Sequence, residues 1–144
     1  MELLDRLIKF TTIRPRSEFE IKRWLVRKKI SGEDCKVALQ ELKKAGLVDD
    51  EAFCRWWIEQ RTTFRPKSRR MLILELIKKG VDKDLAQRLV SESGLNDEEM
   101  AFQLIEKKKR VWGRLDGETK KKKIANFLLS RGFSWGVIRK LISK

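Results

Sequence analysis

The sequence predicts an all-α protein built from three tandem three-helix repeats. Apolar residues recur at helical spacing along almost the whole chain. A Thr-Thr-x-Arg-Pro-x-Ser phrase occurs twice, about fifty residues apart, and glycines interrupt the apolar pattern at matching points. Because repeats of this period stack and share apolar surface with their neighbours, we expect an elongated, curved body.

The repeated phrase marks a joint between two helices. It covers Thr11–Ser17 in the first copy and Thr62–Ser68 in the second, and it holds the only two prolines of the chain. A residue that precedes proline is disfavoured in the helical conformation, so one helix must end before each Arg-Pro pair. Ser17 and Ser68 are placed to cap the helices that follow, and Ser17 with Glu20 has the spacing of a capping box.

The first repeat contains three predicted helices. The first spans residues 2–10, the second spans residues 18–29, and the third follows Ser31 as its cap and ends at Gly46. Lys29 occupies the position where a glycine is expected to end the second helix. The apolar faces of the three helices are predicted to be Leu3, Leu4, Leu7 and Ile8, then Ile21, Trp24 and Leu25, then Cys35, Ala38, Leu39 and Leu42.

The second and third repeats show the same order of signals. Acidic residues open both at the positive end of a helix, where the helix dipole favours them. The Arg-Pro phrase is missing from the third repeat, where two glycine-containing breaks replace it and Thr119 is the predicted cap. The predicted core positions are Phe53, Trp56 or Trp57, Phe64, Leu72, Leu76, Ile77, Leu85, Leu89 and Val90, then Met100, Ala101, Leu104, Ile105, Ile124, Phe127, Leu128, Val137, Ile138 and Leu141.

These signals divide the chain into nine helices. We place the first repeat at residues 1–46, the second at residues 47–94 and the third at residues 95–144. The glycines at positions 80 and 132 occupy one repeat position and are followed at equal spacing by apolar residues. Strand patterns are almost missing from the sequence.

The chain is strongly basic. It has 35 Lys and Arg against 21 Asp and Glu, a formal net charge of +14 and a pI near 10.1. Such an imbalance predicts attraction to a polyanion, with nucleic acid first and an anionic membrane surface second. The alternative interpretation is a solvated face of flexible charged side chains.

The basic residues cluster once per repeat, at the junction between its first and second helices. A ribbon of such clusters would suit a long polyanion that is contacted through its backbone. The residues predicted to bind a filament or DNA are Arg14, Arg16 and Arg23, then Arg61, Arg65, Lys67, Arg69 and Arg70, then Lys107, Lys108, Lys109, Arg110, Lys120, Lys121, Lys122 and Lys123.

The five tryptophans could be core residues or stacking surfaces for bases. At helical spacing among apolar neighbours, Trp24 and one of Trp56 and Trp57 are expected in the core. Trp112 and Trp135 lie near helix breaks, so we predict them as exposed aromatic contacts for a partner.

The sequence offers no catalytic or metal-binding set. It has no histidine, and its two cysteines, Cys35 and Cys54, lack CxxC spacing and fit reduced core thiols. We therefore expect a protein that is not an enzyme and needs no cofactor. The chain begins with Met1-Glu2 rather than a signal peptide and has no membrane-length apolar run, so we expect a cytoplasmic location and no membrane partner. Nothing indicates a coiled coil, and we expect a monomer.

Four motifs resemble the RecX regulatory family. They are Arg14 to Ile21 as Arg-x-x-Ser-x-x-Glu-Ile, residues 47–53 followed by Trp57 and Arg61, residues 75–81, and residues 127–133. The resemblance covers nearly the whole chain in the family's order. It implies three tandem three-helix repeats and a bacterial, non-enzymatic modulator of the RecA recombinase. Such a modulator binds along the groove of the RecA–DNA filament and restrains ATP hydrolysis, strand exchange and the co-protease role in the SOS response.

Two other functions fit the same residues. A general nucleic-acid-binding helical repeat protein would act on single- or double-stranded DNA through its phosphates, without RecA. A helix-turn-helix transcription regulator would read bases, but the helix starts at residues 31–34 and 81–84 are mostly acidic and would repel phosphate. We therefore rank the RecA regulator first and the transcription regulator last.

Overall fold

The computed structural model describes residues 2–30 and 32–143, and these residues form nine α-helices and no strand. The prediction of an all-helical fold is confirmed. The predicted cap of the third helix, Ser31, lies outside the described residues. The helices are α1 Glu2–Ile13, α2 Glu18–Arg27, α3 Gly32–Lys44, α4 Asp50–Thr63, α5 Arg69–Lys78, α6 Lys83–Glu92, α7 Asp97–Trp112, α8 Gly117–Ser130 and α9 Trp135–Ile142.

The chain forms two compact units. Unit 1 consists of Met1–Trp57 and Glu75–Leu89, and unit 2 consists of Ile58–Leu74 and Val90–Lys144. Helices α4, α5 and α6 each contribute residues to both units. The repeat limits stay a prediction, because a division into compact units does not test them.

Unit 1 contains a core formed by α1, α2 and α3. Its centre includes Ile21 and Leu25 of α2, which are almost fully buried, and Leu42 of α3. Trp24 is also buried, as predicted, and its ring stacks on Phe10 with the ring centroids 5.7 Å apart. The apolar spacing of the sequence therefore identified most of this core.

Helix α1 differs from its prediction in length and in its buried face. It continues to Ile13, directly before the first Arg-Pro pair, rather than ending at residue 10. Leu7 is buried, whereas Leu3, Leu4 and Ile8 are exposed. The reason is that α1 packs along the line of Leu7 and Thr11, which lie one turn apart. The buried Thr11 hydroxyl donates to the carbonyl of Ile8 at 2.8 Å.

Unit 2 contains a core formed by α7, α8 and α9. Its buried residues are Met100, Ala101, Leu104 and Trp112 of α7, Ile124, Ala125 and Leu128 of α8, and Phe133 and Ile138 beside and within α9. Helix α8 begins with Asp116 as its cap rather than the predicted Thr119. The Asp116 carboxylate accepts from the Thr119 backbone N–H at 2.8 Å, which leaves Thr119 inside the first turn.

The predicted helix stops are confirmed where the backbone turns left-handed. Gly80 and Gly132 both have φ of 88°, and Lys29 adopts φ of 61° at the position where glycine was expected. Phe64, predicted with the core, is 62% exposed because α4 ends at Thr63 and Phe64 lies beyond its last turn.

Candidate functional site

The first joint is fixed by three hydrogen bonds around buried Ser17. The Glu20 backbone N–H donates to Ser17 Oγ at 3.1 Å, and the Ser17 N–H donates to Glu20 Oε1 at 3.1 Å, which completes the predicted capping box. The Ser17 hydroxyl in turn donates to the Lys79 carbonyl at the end of α5, at 2.7 Å. One residue on, the Glu18 N–H donates to Asp50 Oδ1 at the start of α4, at 2.9 Å. The joint thereby contacts the start of α4 and the end of α5, within unit 1.

The second joint repeats this arrangement within unit 2. Buried Ser68 accepts from the Met71 N–H at 3.1 Å, and its own backbone N–H donates to the Arg131 carbonyl at the end of α8, at 3.0 Å. The Arg69 N–H donates to Asp97 Oδ1 at the start of α7, at 2.9 Å. The two phrases of the sequence therefore form two copies of one hydrogen-bonding arrangement, in which a serine-capped helix start contacts later helices.

One sequence difference between the two copies explains why they use different donors for the long-range hydrogen bond. The third residue of α2 is Glu20, whose carboxylate occupies the Ser17 N–H, so only the hydroxyl remains to reach Lys79. The third residue after Ser68 is Met71, which has no acceptor for a capping box. The Ser68 N–H is therefore available to donate to the carbonyl of Arg131.

The two arginines of the first joint are engaged inside the chain. Arg14 forms an ion pair with Glu20 at 2.6 Å and lies over the Trp56 ring, 5.1 Å from its centroid. Arg16 lies 3.8 Å from the Phe10 ring centroid and donates to the Phe10 carbonyl at 2.9 Å. Burial, followed by the neighbouring Arg14 charge, lowers the pKa of Arg16. These arginines shape the joint beside a cavity of about 300 Å³.

Of the three basic residues predicted for the first cluster, Arg23 is the one that is exposed. It lies on α2 with its guanidinium carbon 5.7 Å from the centroid of the Phe19 ring.

The second cluster offers more exposed charge. Arg65 is exposed and adopts a left-handed conformation with φ of 53°, and Arg70 is exposed on the first turn of α5. Arg69 is half-buried and donates to Ser91 Oγ at 3.3 Å. Arg61 and Lys67 are half-buried.

The third cluster lies where α7 ends and α8 begins. Lys107, Lys109 and Arg110 are exposed, whereas Lys108 is half-buried with its Nζ 5.4 Å from the Phe127 ring centroid. At the start of α8, Lys120 is half-buried and Lys121, Lys122 and Lys123 are exposed. Because only four residues, 113–116, separate the end of α7 from the start of α8, the cluster lies at one end of the α7–α8 hairpin.

The charge of the chain is unevenly divided between the units. Unit 1 has 17 basic and 13 acidic residues, a net charge of +4, whereas unit 2 has 18 basic and 8 acidic residues, a net charge of +10. Most of the excess positive charge predicted to attract a polyanion therefore belongs to unit 2.

The tryptophans divide differently from the prediction. Trp112 is buried, with 8% of its surface exposed, because its ring packs edge-on against Phe127 with centroids 5.4 Å apart. The expectation that Trp112 is an exposed contact is therefore wrong. Trp135 is exposed, at 52%, on the first turn of α9. Both Trp56 and Trp57 are half-buried beside Phe53, so neither is the fully buried partner expected of the pair.

Two arginines of unit 2 were missed by the sequence reasoning. Arg131 ends α8 and places its guanidinium carbon 4.9 Å from the Phe127 ring centroid. Arg139 is exposed on α9, one turn after Trp135. A signal for both existed, since each lies four residues after an aromatic residue, which is the spacing of one helical turn.

The described residues contain no group of three or more His, Cys, Asp or Glu side chains that could hold a metal ion. Across the same residues, no helix combines the length and the apolar character that a membrane crossing requires.

The fold and the joints define a class: an all-helical repeat protein whose repeats dock through serine-capped, arginine-rich junctions. Sequence models of the second and third three-helix domains of RecX match residues 49–89 and 96–142. Regulatory protein RecX of Amycolatopsis mediterranei is 32% identical over 133 residues, 92% of this chain and 76% of that protein. Regulatory protein RecX of Chlorobium limicola is 31% identical over 137 residues, 95% of this chain and 85% of that protein. The chain therefore belongs to the RecX family of regulatory proteins.

Solved structures show the same fold. The crystal structure of RecX from Lactobacillus salivarius superposes with a TM-score of 0.79 over 97% of this chain and 92% of that chain, at 21% sequence identity. A second crystal structure of a regulatory protein RecX gives a TM-score of 0.78 over 99% of this chain and 71% of that chain. The three-helix repeat fold predicted from the sequence is thus confirmed.

Proposed function

We propose that this protein regulates the RecA recombinase, chiefly as a restraint, by binding the filament that RecA forms on DNA. In this role it modulates filament assembly, ATP hydrolysis, strand exchange and the co-protease activity of the SOS response. Membership of the RecX family is the observation that carries the proposal. The matched relatives are named as regulatory proteins, and the match covers most of their length.

The basic clusters support a contact with the DNA of the filament. Unit 2 carries a net charge of +10, and its exposed cations include Arg65, Arg70 and the lysines that open α8. Contacts with phosphates release counterions and give affinity without sequence preference, which suits a regulator that must act anywhere on a filament. Exposed Trp135, with Arg139 one turn later, adds an aromatic and cationic pair that can stack on a base.

We further propose that the protein acts by binding alone, as a cytoplasmic monomer without a cofactor.

The second candidate is a sequence-independent nucleic-acid-binding protein that acts without RecA. The charge of unit 2 favours it, since that charge alone would attract any exposed strand. A helix-turn-helix regulator that reads bases is less favoured. The third helices of the first two repeats, α3 and α6, carry Glu33 and Asp34, and Asp84, in their first turns.

Co-sedimentation separates the first two candidates. RecA filaments are formed on polythymidylate with a non-hydrolysable ATP analogue and pelleted, with and without this protein. A filament regulator enters the pellet in proportion to the filament, also when RecA saturates the DNA. A plain DNA binder is excluded as RecA covers the strand, and this result would overturn the proposal. Tubes without RecA, in which naked polythymidylate stays in solution at the same speed, are the control.

A further inference from the structure

Helix α8 carries a row of cations on one face. Lys120, Lys123 and Arg131 lie at positions i, i+3 and i+11, and Phe127 fills position i+7 between them. Residues three, four, seven and eleven apart share one side of an α-helix. With a rise of about 1.5 Å per residue, the row extends for about 16 Å from Lys120 to Arg131.

A fourth cation joins the row from α7. Lys108 lies one turn after Leu104 and one turn before Trp112, on the face of α7 that packs against α8. Its Nζ lies 5.4 Å from the Phe127 ring centroid, and the guanidinium carbon of Arg131 lies 4.9 Å from the same centroid. The Trp112 ring packs edge-on against Phe127, with the ring centroids 5.4 Å apart. Phe127 is thus an anchored ring that positions two cations beside it.

The stability of the helix does not explain this row. Lys120 and Lys123 belong to the first two turns of α8, the positive end of the helix dipole, where cations are unfavourable. The Nε of Arg131 is buried without a hydrogen-bond acceptor among the described residues. Such a concentration of like charge raises the local positive potential and attracts an anionic ligand.

The row ends at the second joint of the same unit. The Arg131 carbonyl accepts from the Ser68 N–H at 3.0 Å, and Arg70 is exposed two residues after that serine. Within unit 2, the row therefore runs from the turn between α7 and α8 to the second basic cluster. The backbone at the Arg131 end of the row thus contacts Ser68, two residues before Arg70 of the second basic cluster.

We propose that the row of Lys108, Lys120, Lys123 and Arg131 is a track for the sugar–phosphate backbone of one strand of single-stranded DNA, an assignment that rests on the proposed function. The row is one side chain wide, which matches a single line of phosphates rather than the two lines of a duplex groove. Its length of about 16 Å corresponds to about five nucleotide steps at the axial rise of about 3.4 Å per step of a duplex strand, and to fewer steps if the strand is stretched.

The test is the salt dependence of binding to a fluorescently labelled oligothymidylate, measured by anisotropy with the full chain and no recombinase. Each phosphate contact contributes about 0.7 to the slope of log K against log salt for a single strand. The variant Lys120→Gln/Lys123→Gln/Arg131→Gln should flatten the slope by about 2 and weaken binding about a hundredfold near 0.1 M salt. Because Arg131 caps α8, the double variant Lys120→Gln/Lys123→Gln is measured in parallel and should flatten the slope by about 1.4.

Two control variants make the result specific. Lys9→Gln/Arg27→Gln/Lys36→Gln removes an equal number of positive charges, three, from exposed positions of unit 1 and should leave the slope unchanged. Lys121→Gln/Lys122→Gln removes charge from the same lysine run but from other faces of α8. If it flattens the slope as much per charge as the row variants do, or if the row variants leave the slope unchanged, the track is overturned. Because no recombinase is present, either outcome is independent of whether the protein binds RecA filaments.

Discussion

The hydroxyl of Ser17 donates a 2.7 Å hydrogen bond to the backbone carbonyl of Lys79, 62 residues further along the chain. The same oxygen accepts from the Glu20 N–H, so one buried hydroxyl both caps α2 and binds the end of α5. In the second copy of the phrase, the Ser68 hydroxyl only caps, and its backbone N–H makes the long-range bond to Arg131.

The first prediction compares these two serines. Ser17→Ala leaves both the Glu20 N–H and the Lys79 carbonyl without their partner, so it should lower the free energy of unfolding by about 2–4 kcal/mol. Ser68→Ala removes a cap alone and should cost about 1 kcal/mol. Urea denaturation followed by circular dichroism measures both values. Equal losses would show that the Ser17–Lys79 bond contributes nothing of its own.

The second prediction concerns the glycines that the joints approach. A Cβ at Gly80 would lie 2.1 Å from Phe19 Cβ, and a Cβ at Gly132 would lie 2.6 Å from Ser68 Oγ and 2.9 Å from Met71 Cβ. Alanine at either site adds overpacking of about 1–3 kcal/mol to the cost of about 1–2 kcal/mol for a left-handed alanine.

The matched control is Gly94→Ala. Gly94 is also left-handed, at φ of 76°, but has open space around it, so only the conformational cost applies. Thermal or urea unfolding should therefore rank Gly94→Ala as the mildest of the three variants. A Gly80→Ala variant as stable as Gly94→Ala would mean that the α2–α5 contact is not as close as described.

The third prediction is a pH dependence at Asp50. Burial is the main cause that raises the pKa of this carboxyl, although the hydrogen bond from the Glu18 N–H opposes the shift. A raised pKa in the folded protein means that Asp50 stabilises the fold most below the unfolded value of about 3.9, and less as the pH rises through the folded pKa. Asp50→Asn keeps the acceptor and removes the charge, so its stability relative to the parent protein should increase between acidic and neutral pH.

The control at this position is Asp50→Ala. It leaves the Glu18 N–H without an acceptor and should cost about 1–3 kcal/mol at neutral pH. Urea unfolding at acidic and neutral pH measures all three proteins. A constant difference between Asp50→Asn and the parent would contradict the raised pKa.

The fourth prediction separates the two thiols. Burial raises the pKa of Cys54 to about 12, and the charges of Asp50 and Glu51 add to the shift. Since the thiolate is the reactive form, Cys54 should resist a disulfide reagent at pH 8 until the protein unfolds, whereas half-buried Cys35 should react first. The Cys35→Ser variant should lose the fast phase. A fast phase that persists in that variant would place Cys54 within reach of solvent.

The sequence was sufficient to predict the helices and their joints because both depend on local chemistry. Proline in each Arg-Pro pair ends a helix, and serine three residues before a free amide caps the next one, whatever the rest of the chain does. The Ser17–Glu20 capping box is of this kind and is present as predicted. The left-handed turn at Lys29, two residues after α2 ends at Arg27, likewise follows from the repeat spacing, even without a glycine.

Long-range packing could not be predicted in the same way. Trp112 and Trp135 both follow or precede helix breaks, yet Trp112 is buried because Phe127 of another helix meets its ring. Leu3 and Leu4 have the spacing of a core face but stay exposed, because α1 packs along Leu7 and Thr11. The role of Arg131 depends on its distance from Phe127 and Lys108, which only the folded hairpin establishes.

The central claim is that this protein restrains RecA, and single-stranded-DNA-dependent ATP hydrolysis by RecA tests it most directly. The protein is titrated into a reaction that contains assembled filaments, and each point is repeated with excess single-stranded DNA. We predict loss of hydrolysis well below one copy of this protein per RecA subunit, and added DNA should not restore it. Unchanged hydrolysis, or an inhibition that excess DNA fully reverses, would contradict the claim and leave a plain nucleic-acid-binding protein.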